Sequence, residues 1–354
     1  MWKVGGIVMA NKMSLANKYR PQSFDDVCEQ DSIKVVLENQ IRNNNLKHAY
    51  LFCGGAGTGK TTSARIIAKM MNEGKSKPIE LDCASHNGVD DMRLIIDECK
   101  TRPIASKYKI FVLDECHMLT VQAWNSLLKI LEEPPEYVIF LFCTTDPQKI
   151  IGTIMSRVQR FNFQRISVDG IFNRLKYIVE SENKERVMAN TQPIIYDDEA
   201  LRYIARLARG GMRDSITTLE KCLDYNEHLT MDNVLKVTSG GVTEDTLLQL
   251  TRHILNGYCR EALLHFNEIY MSGVDVSLFV KLYTEFLENC TKYLITLTPD
   301  ITILSDETLQ WLDEHKNALE PVNNMVDSIL EIKTTYSSED LKIIVESWIV
   351  RVCK

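Results

Sequence analysis

Ala49-Tyr50-Leu51-Phe52-Cys53-Gly54-Gly55-Ala56-Gly57-Thr58-Gly59-Lys60-Thr61-Thr62 decides how the rest of the chain is read. Its first five residues form an apolar, aromatic-rich run that predicts a buried strand over Ala49–Cys53. Gly54 to Thr61 then match G-x-x-x-x-G-K-[ST], and the apolar spacing from Thr61 to Met71 predicts a helix. Between a strand and a helix, this pattern is a phosphate cradle. Glycines let the loop curl until backbone N–H groups converge at the helix N-terminus, where the dipole also favours an anion. Gly54, Gly55, Ala56, Gly57, Thr58, Gly59 and Thr62 are therefore expected around the phosphates of ATP. Lys60 would neutralise β and γ oxygens, and Thr61 would offer its hydroxyl to Mg2+.

Working outward, Ile110-Phe111-Val112-Leu113-Asp114-Glu115 is an apolar strand that delivers two carboxylates at its end. Alone, such a pair reads as charged turn residues stopping a strand. Beside a phosphate loop, Asp114 becomes the candidate that holds magnesium through water, and Glu115 the group that orients and partly deprotonates the attacking water. A further strand, Val138 to Cys143, ends in Thr144-Thr145-Asp146. Ligands of open α/β sheets collect at the C-terminal edge, so Thr144 or Thr145 could bond the γ-phosphate or the water, although threonine is also an ordinary strand residue.

The first half alternates β-rich runs with helical patterns, the rhythm of a parallel sheet wrapped by helices. Predicted strands are Ala49–Cys53, Ile79–Cys83, Lys109–Asp114, Val138–Thr144 and Arg160–Phe163. Helices are expected over Thr61–Met71, Val89–Lys100 and Val121–Glu132, the last stopped by Pro134-Pro135. After Ser167 strand signals nearly vanish. Helical runs follow at Ile171–Glu180, Asp198–Ala208, Asp214–Cys222, Glu244–Leu255, Glu261–Tyr270, Ser277–Ile295, Thr308–His315, Val322–Ile332 and Ser338–Val352, with Gly240-Gly241, Gly257, Gly273 and Pro299 as turns or helix ends. The expected organisation is a disordered extension (1–14), an α/β nucleotide-binding domain with a five-stranded parallel sheet (15–166), a small helical lid (167–240) and an all-α collar or oligomerisation domain (241–354).

Composition agrees with a folded chain: 45% of the 354 residues are apolar and 25% charged, near globular averages. The longest wholly apolar candidate is six residues, Val138 to Cys143, which suits a strand and not a membrane span. The short apolar Gly6 to Met9 is too brief for a secretory leader, so a cytoplasmic chain is expected. Ten cysteines, none closer than 16 residues apart, form no CxxC half-site and read as reduced, mostly buried thiols. Net charge is -7, but residues 1–170 hold 22 basic and 19 acidic groups, whereas the remainder holds 19 and 29. A polyanion should prefer the first half.

These elements and their connecting text resemble the AAA+ clamp-loader ATPases, specifically the bacterial gamma/tau family. The resemblance rests on Lys18-Tyr19-Arg20-Pro21-Gln22-Ser23-Phe24-Asp25-Asp26-Val27, on Asp82-Cys83-Ala84-Ser85-His86-Asn87-Gly88-Val89-Asp90-Asp91-Met92-Arg93 and on Asp114-Glu115-Cys116-His117-Met118-Leu119. It continues in Asn125-Ser126-Leu127-Leu128-Lys129-Ile130-Leu131-Glu132-Glu133-Pro134-Pro135, Thr144-Thr145-Asp146-Pro147-Gln148-Lys149-Ile150 and Gly210-Gly211-Met212-Arg213-Asp214, dense from about 15 to 225 and only architectural beyond. It implies that Tyr19, Arg20 and Pro21 border the nucleotide. Arg157, in Ser156-Arg157-Val158, resembles the arginine finger of the family's Ser-Arg-Cys motif, which reaches a neighbouring subunit's ATP; Val158 departs from that motif. Arg213 resembles the sensor-2 arginine that faces the γ-phosphate. DNA would be gripped by its backbone around Asn87, Gly88 and Arg93, with Lys100 and Arg102 as weaker candidates against a plain solvated basic face.

The resemblance also implies a motor that loads a sliding clamp onto primer-template DNA, in a pentameric assembly of copies of this chain with delta- and delta-prime-like subunits, away from any membrane. Two rivals stay open: a delta-prime-like stator without a working ATP site, and another AAA+ DNA remodeller such as a branch-migration helicase. Typical family members carry a four-cysteine zinc module where Met70 to Pro78 passes without a cysteine, so no bound zinc is expected. Lys354 stops short of the tau extension, which fits a compact bacterial form, nucleoid-associated, or a relative acting in a phage-infected cell. Met9-Ala10-Asn11-Lys12 reads as the natural start, with residues 1–8 preceding it.

Overall fold

The computed structural model describes residues 13–238, 242–332 and 338–353. The expected disordered extension, up to residue 12, the Met9 start and the Gly240-Gly241 turn lie outside the described residues. Two units emerge: one takes in the described residues up to Pro193 together with Ile204–Glu220, the other Ile194–Tyr203 together with the residues from Lys221 on.

The elements of the α/β part, in chain order, are α1 (Leu15–Lys18), α2 (Asp31–Arg42), β1 (Ala49–Cys53), α3 (Lys60–Met71), β2 (Ile79–Asp82), α4 (Val89–Cys99), β3 (Lys109–Asp114), α5 (Val121–Glu132), β4 (Val138–Thr144), α6 (Gly152–Met155), β5 (Gln159–Asn162) and α7 (Val168–Met188). The five strands are parallel in the order β2-β3-β4-β1-β5, with Cys53 of β1 beside Thr144 of β4 and Leu113 of β3 beside Phe142. Strands covered on both faces must be apolar throughout, which is why β1, β3 and β4 read as continuous runs. Their period of two still sorts them. Tyr50, Phe52, Ile110, Val112, Ile139 and Leu141 pack with Leu37 of α2 and Ile66 and Ile67 of α3. Leu51, Phe111, Leu113, Phe140 and Phe142 pack with Met92 of α4 and with Trp124 and Leu127 of α5. Each such side chain, fully buried, contributes about 1.5–3 kcal/mol. The phosphate loop, Asp114 and Thr144 follow or end strands of this one parallel sheet, so all three reach its C-terminal edge.

Helices α8 (Asp198–Leu207) and α9 (Met212–Tyr225) come next. In the second unit β6 (Ile195–Tyr196) pairs in parallel with β7 (His228–Leu229), followed by α10 (Met231–Thr238). Six longer helices complete it: α11 (Glu244–Leu255), α12 (Cys259–Met271), α13 (Val276–Thr296), α14 (Asp306–Glu314), α15 (Leu319–Leu330) and α16 (Ser338–Val352). They share one core that includes Leu248, Phe266, Phe279, Leu312, Met325 and Val345. Two hydrogen bonds pair polar groups within it: Thr251 and Tyr283 share a hydroxyl bond of 2.9 Å, and Trp348 Nε1 donates to Ser328 Oγ at 2.9 Å. No helix among the described residues is long and apolar enough to cross a membrane.

The five expected strands all form, with ends displaced by one residue at β2 and β5. Several features exceed the expectation. α2, α10 and the four-residue α1 and α6 form where no helix was predicted, α7 runs on to Met188, and the two-residue β6 and β7 pair in a region whose strand signals nearly vanish. The polar second half of α7, Ser181-Glu182-Asn183-Lys184-Glu185-Arg186, has no apolar period to reveal it.

Candidate active site

Two glycines shape the phosphate loop. Gly59 has φ +98°, a left-handed conformation that turns the chain into the first turn of α3. Gly57 has φ +69°, and a Cβ there would stand 3.0 Å from Gly211 Cα and 3.2 Å from the Arg213 amide nitrogen. Met212 N donates to Gly57 O at 3.0 Å, so the loop is closed on one side by the backbone of the Gly210-to-Arg213 segment. Lys60, only 6% exposed, donates to Gly54 O at 2.9 Å and Gly55 O at 2.7 Å. Burial lowers its basicity, opposed by the carboxylates of Glu115 and Asp114.

Thr61 Oγ1 donates to Asp114 Oδ2 at 2.9 Å, bringing the first helical turn of α3 against the end of β3. A hydroxyl beside a carboxylate is a hard-oxygen donor set. It fits Mg2+, which keeps several waters and needs few protein ligands. Glu115 follows in a left-handed conformation, φ +47°, uncommon for a residue with a side chain and typical of strained functional positions. Its amide donates to Asp114 Oδ1 at 3.1 Å. Its Oε2 accepts from Thr145 Oγ1 at 3.0 Å and lies 3.3 Å from His117 Nδ1, which is also 3.2 Å from Thr144 Oγ1. Thr144 Oγ1 in turn accepts from the Asp146 amide at 3.0 Å.

A cavity of about 540 Å³ opens here, lined by Tyr19, Arg20 and Pro21, by Ala56 to Thr62, and by Asp114, Glu115, Arg174 and Arg213. Gly54, Gly55, Thr144 and Thr145 stand behind this lining: the first two through the carbonyls that hold Lys60, the last two through Glu115 and His117. The Tyr19 segment is fixed by α7. Tyr19 OH donates to Glu182 Oε1 at 2.8 Å, Arg174 Nη2 donates to Tyr19 O at 2.9 Å, and Lys18 Nζ reaches Glu182 and Glu185 at 2.7 and 2.5 Å. Burial and the Glu182 contact both raise the Tyr19 hydroxyl above its ordinary value. For Lys18, burial acts downward but the two glutamates carry it upward.

Arg157 is not among the lining residues. Its guanidinium donates to Thr153 O at 2.6 Å and pairs with Glu132, with the side chain 31% exposed. The Asn87–Arg102 candidates are also apart from the cavity. The Gly88 amide donates to Asp91 Oδ2 at 3.1 Å, so the start of α4 already carries a carboxylate cap, and Asn87 O accepts from the Thr120 amide at 3.2 Å. Arg93 pairs with Asp90 at 2.8 Å and Lys100 with Asp97 at 2.6 Å, each one turn away on its own helix, while Arg102 lies over the Tyr137 ring at 5.0 Å.

Residue-by-residue reasoning missed Arg174, Glu182 and Glu185, which no local signal connects to Tyr19 across more than 150 residues. It also missed His117, two positions after Glu115 in a stretch quoted for other reasons. Below the site lie Cys116 and Cys143, fully buried thiols held well above their ordinary pKa by burial. Among the described residues no group of three or more His, Cys, Asp or Glu could hold a metal ion.

A family model described as "DNA polymerase III, delta subunit" matches residues 79–167. The chain is 37% identical over 284 residues to the tau subunit of DNA polymerase III from Bacillus subtilis, covering 74% of this chain and 48% of that one. It is 34% identical to the gamma/tau subunit of Mycoplasma genitalium, covering 75% and 46%, and 32% identical to the tau subunit of Escherichia coli, covering 74% and 42%. The chain thus spans about half the length of the relatives it matches, or less. Among solved structures, the RuvB Holliday junction branch migration motor of Thermotoga maritima superposes with a TM-score of 0.51 at 22% identity, covering 67% of this chain and 79% of that one; this likeness is one of fold. Over about three quarters of its length the chain is thus similar to the gamma/tau subunits of DNA polymerase III, and its phosphate loop, paired carboxylates and sheet order agree with that similarity.

Proposed function

We propose that this chain is the ATP-hydrolysing motor of a sliding-clamp loader, which places a clamp on primer-template DNA during replication. The observation that carries the reading is the convergence of Lys60, Thr61, Asp114, Glu115 and Arg213 on one cavity. In this mechanism the N–H groups of the phosphate loop and Lys60 take the β- and γ-phosphates of ATP, and Tyr19, Arg20 and Pro21 border the nucleotide. Thr61 and Asp114 hold Mg2+, which supplies neutralisation of phosphate charge. Glu115 accepts a proton from water as the water oxygen bonds to the γ-phosphorus and the bond to the departing ADP oxygen breaks. Thr145 steadies Glu115, and Thr144 lies behind it. Arg213 reads the γ-phosphate from the segment that follows Gly211, so its contact lasts only while ATP is intact.

Arg157 acts in trans: its absence from the lining of its own chain's cavity supports a role at a neighbour's site. The proposed setting is a pentamer of copies of this chain and delta- and delta-prime-like subunits in the bacterial cytoplasm, near the nucleoid or in a phage-infected cell. The functional organisation is a nucleotide domain over 15–166, a lid over 167–240 and a collar over 241–354. DNA contact around Asn87, Gly88 and Arg93, with Lys100 and Arg102, requires Arg93 and Lys100 to leave exposed acidic partners, each pair holding by only about 0–1 kcal/mol. No zinc enters the proposal, because Met70 to Pro78 offers no thiolate.

The stator alternative requires a disabled ATP site, and the intact set of Lys60, Thr61, Asp114 and Glu115 weighs against it. Glu115→Gln tests the reading: ATP binding should persist while turnover falls by about 10²–10⁴-fold. Turnover equal to that of the unaltered protein would refute the role given to Glu115.

A further inference from the structure

His117 is the best-placed side chain of the site without a role in the reading above. It lies in the short turn Cys116–Met118 after β3, with its side chain 11% exposed, against 38% for Glu115. Nδ1 has two oxygens in reach, Glu115 Oε2 at 3.3 Å and Thr144 Oγ1 at 3.2 Å. An ionised carboxylate oxygen only accepts hydrogen bonds. A bare Nδ1 would therefore oppose its lone pair to that of Oε2, whereas an Nδ1–H can be shared between both oxygens. Thr144 Oγ1 is already an acceptor for the Asp146 amide, so accepting a further N–H at its other lone pair is compatible with its geometry.

We propose that His117 is a positioning residue for Glu115, acting through an Nδ1–H that holds Oε2. This rests on the reading of Glu115 as the group that takes the water's proton. Oε2 then has two fixed donors, His117 and Thr145 Oγ1 at 3.0 Å, and Oε1 is the oxygen left to face the water. A carboxylate held by one hydroxyl can swing about its side-chain torsions; a second donor from a different loop removes that freedom. The requirement is acute here because the Glu115 backbone, at φ +47°, aims the side chain from an uncommon conformation. The effect falls on the chemical step, since His117 is absent from the cavity lining and its Nδ1 meets Glu115 and Thr144, not the phosphate loop.

The test uses the full chain with MgATP, comparing His117→Ala, His117→Asn and Glu115→Gln. An asparagine amide can present an N–H where Nδ1 stands; alanine cannot. We expect His117→Ala to lower kcat about 10- to 100-fold, the scale of a misplaced catalytic group, with KM and the Kd of a fluorescent ATP analogue unchanged. His117→Asn should recover most of the loss. Nitrogen-15 NMR of histidine-labelled protein, assigned by the missing signal of His117→Asn, should show Nδ1 protonated; this reading does not depend on turnover. A His117 protonated only at Nε2, an unimpaired kcat in His117→Ala, or an asparagine variant no better than alanine would each overturn the proposal. Undiminished turnover in Glu115→Gln would instead overturn the underlying reading of Glu115.

Discussion

Lys60→Met should separate the contribution of this lysine to folding from its contribution to nucleotide binding. Its ammonium is buried, and its hydrogen-bond partners are two neutral carbonyls, Gly54 O and Gly55 O. Each bond from a charged donor contributes about 1.5–3 kcal/mol. Against that stands a desolvation penalty of several kcal/mol for a buried ion, so the charge is close to neutral for folding. Methionine keeps the aliphatic packing. Gly55 O retains Thr58 Oγ1 at 2.9 Å as a donor, leaving Gly54 O as the principal loss. The expected change in unfolding free energy without nucleotide is within about 1.5 kcal/mol of zero.

With MgATP at about 100 times its Kd, the unaltered protein should gain about 2.7 kcal/mol, read as a rise in Tm, and the variant nothing. The pH dependence has a definite sign. Because burial lowers the basicity of Lys60 from 10.5, the unfolded chain binds more protons in the window below 10.5. Stability of the unaltered protein relative to Lys60→Met therefore rises as pH climbs through the folded value toward 10.5, and is lowest below it. Calorimetric or denaturant unfolding with and without MgATP measures all of this. A variant destabilised by more than about 3 kcal/mol at neutral pH, or one still stabilised by ATP, would refute the reasoning.

Gly210→Ala should lose about 2–5 kcal/mol, because φ is +89° and the new Cβ would sit 2.6 Å from Arg165 Cβ; Gly273→Ala, with the same φ and open space, should lose about 1–2, both read from denaturant midpoints. Thiol titration of the native chain should modify Cys28, Cys259 and Cys353 well before Cys53, Cys83, Cys99, Cys116, Cys143, Cys222 and Cys290, which are buried and should react only on unfolding. Arg157→Ala should leave ATP affinity unchanged and stability within about 1 kcal/mol, since its pair with Glu132 is exposed, yet lower turnover of the assembly about 10³-fold; equilibrium binding and steady-state rates check the two halves.

The middle of the sheet was legible in the sequence because β1, β3 and β4 are apolar throughout and end in, or run into, glycine, carboxylates or threonine, so that a local pattern carried the long-range order; the polar, more exposed β2 and β5 carried a weaker one, and their ends fell one residue off. The phosphate loop with Thr61 and Asp114 was legible for the same reason: spacing along the chain dictated chemistry at one sheet edge. α2 was not, since Ile33 and Leu37 are its only buried residues while Val35 and Val36 face outward. Glu182 and Glu185 were hidden because they hold Tyr19 and Lys18 from a polar stretch far along the chain. His117 was visible as a letter but silent as a role, which emerged only once β3 and β4 brought it between Glu115 and Thr144.

The central claim is that each ATP is hydrolysed with Glu115 from one protomer and Arg157 from its neighbour. Mixing Glu115→Gln chains with Arg157→Ala chains in the assembly, each inactive alone, tests it directly through the steady-state rate of phosphate release. At seams between copies of this chain, those that join an intact Glu115 to an intact Arg157 should restore roughly a quarter of the turnover such seams give in the unaltered assembly at equal proportions, as random head-to-tail neighbours require. A mixture that stays inactive at every ratio, while native chains assembled the same way turn over, would contradict the account.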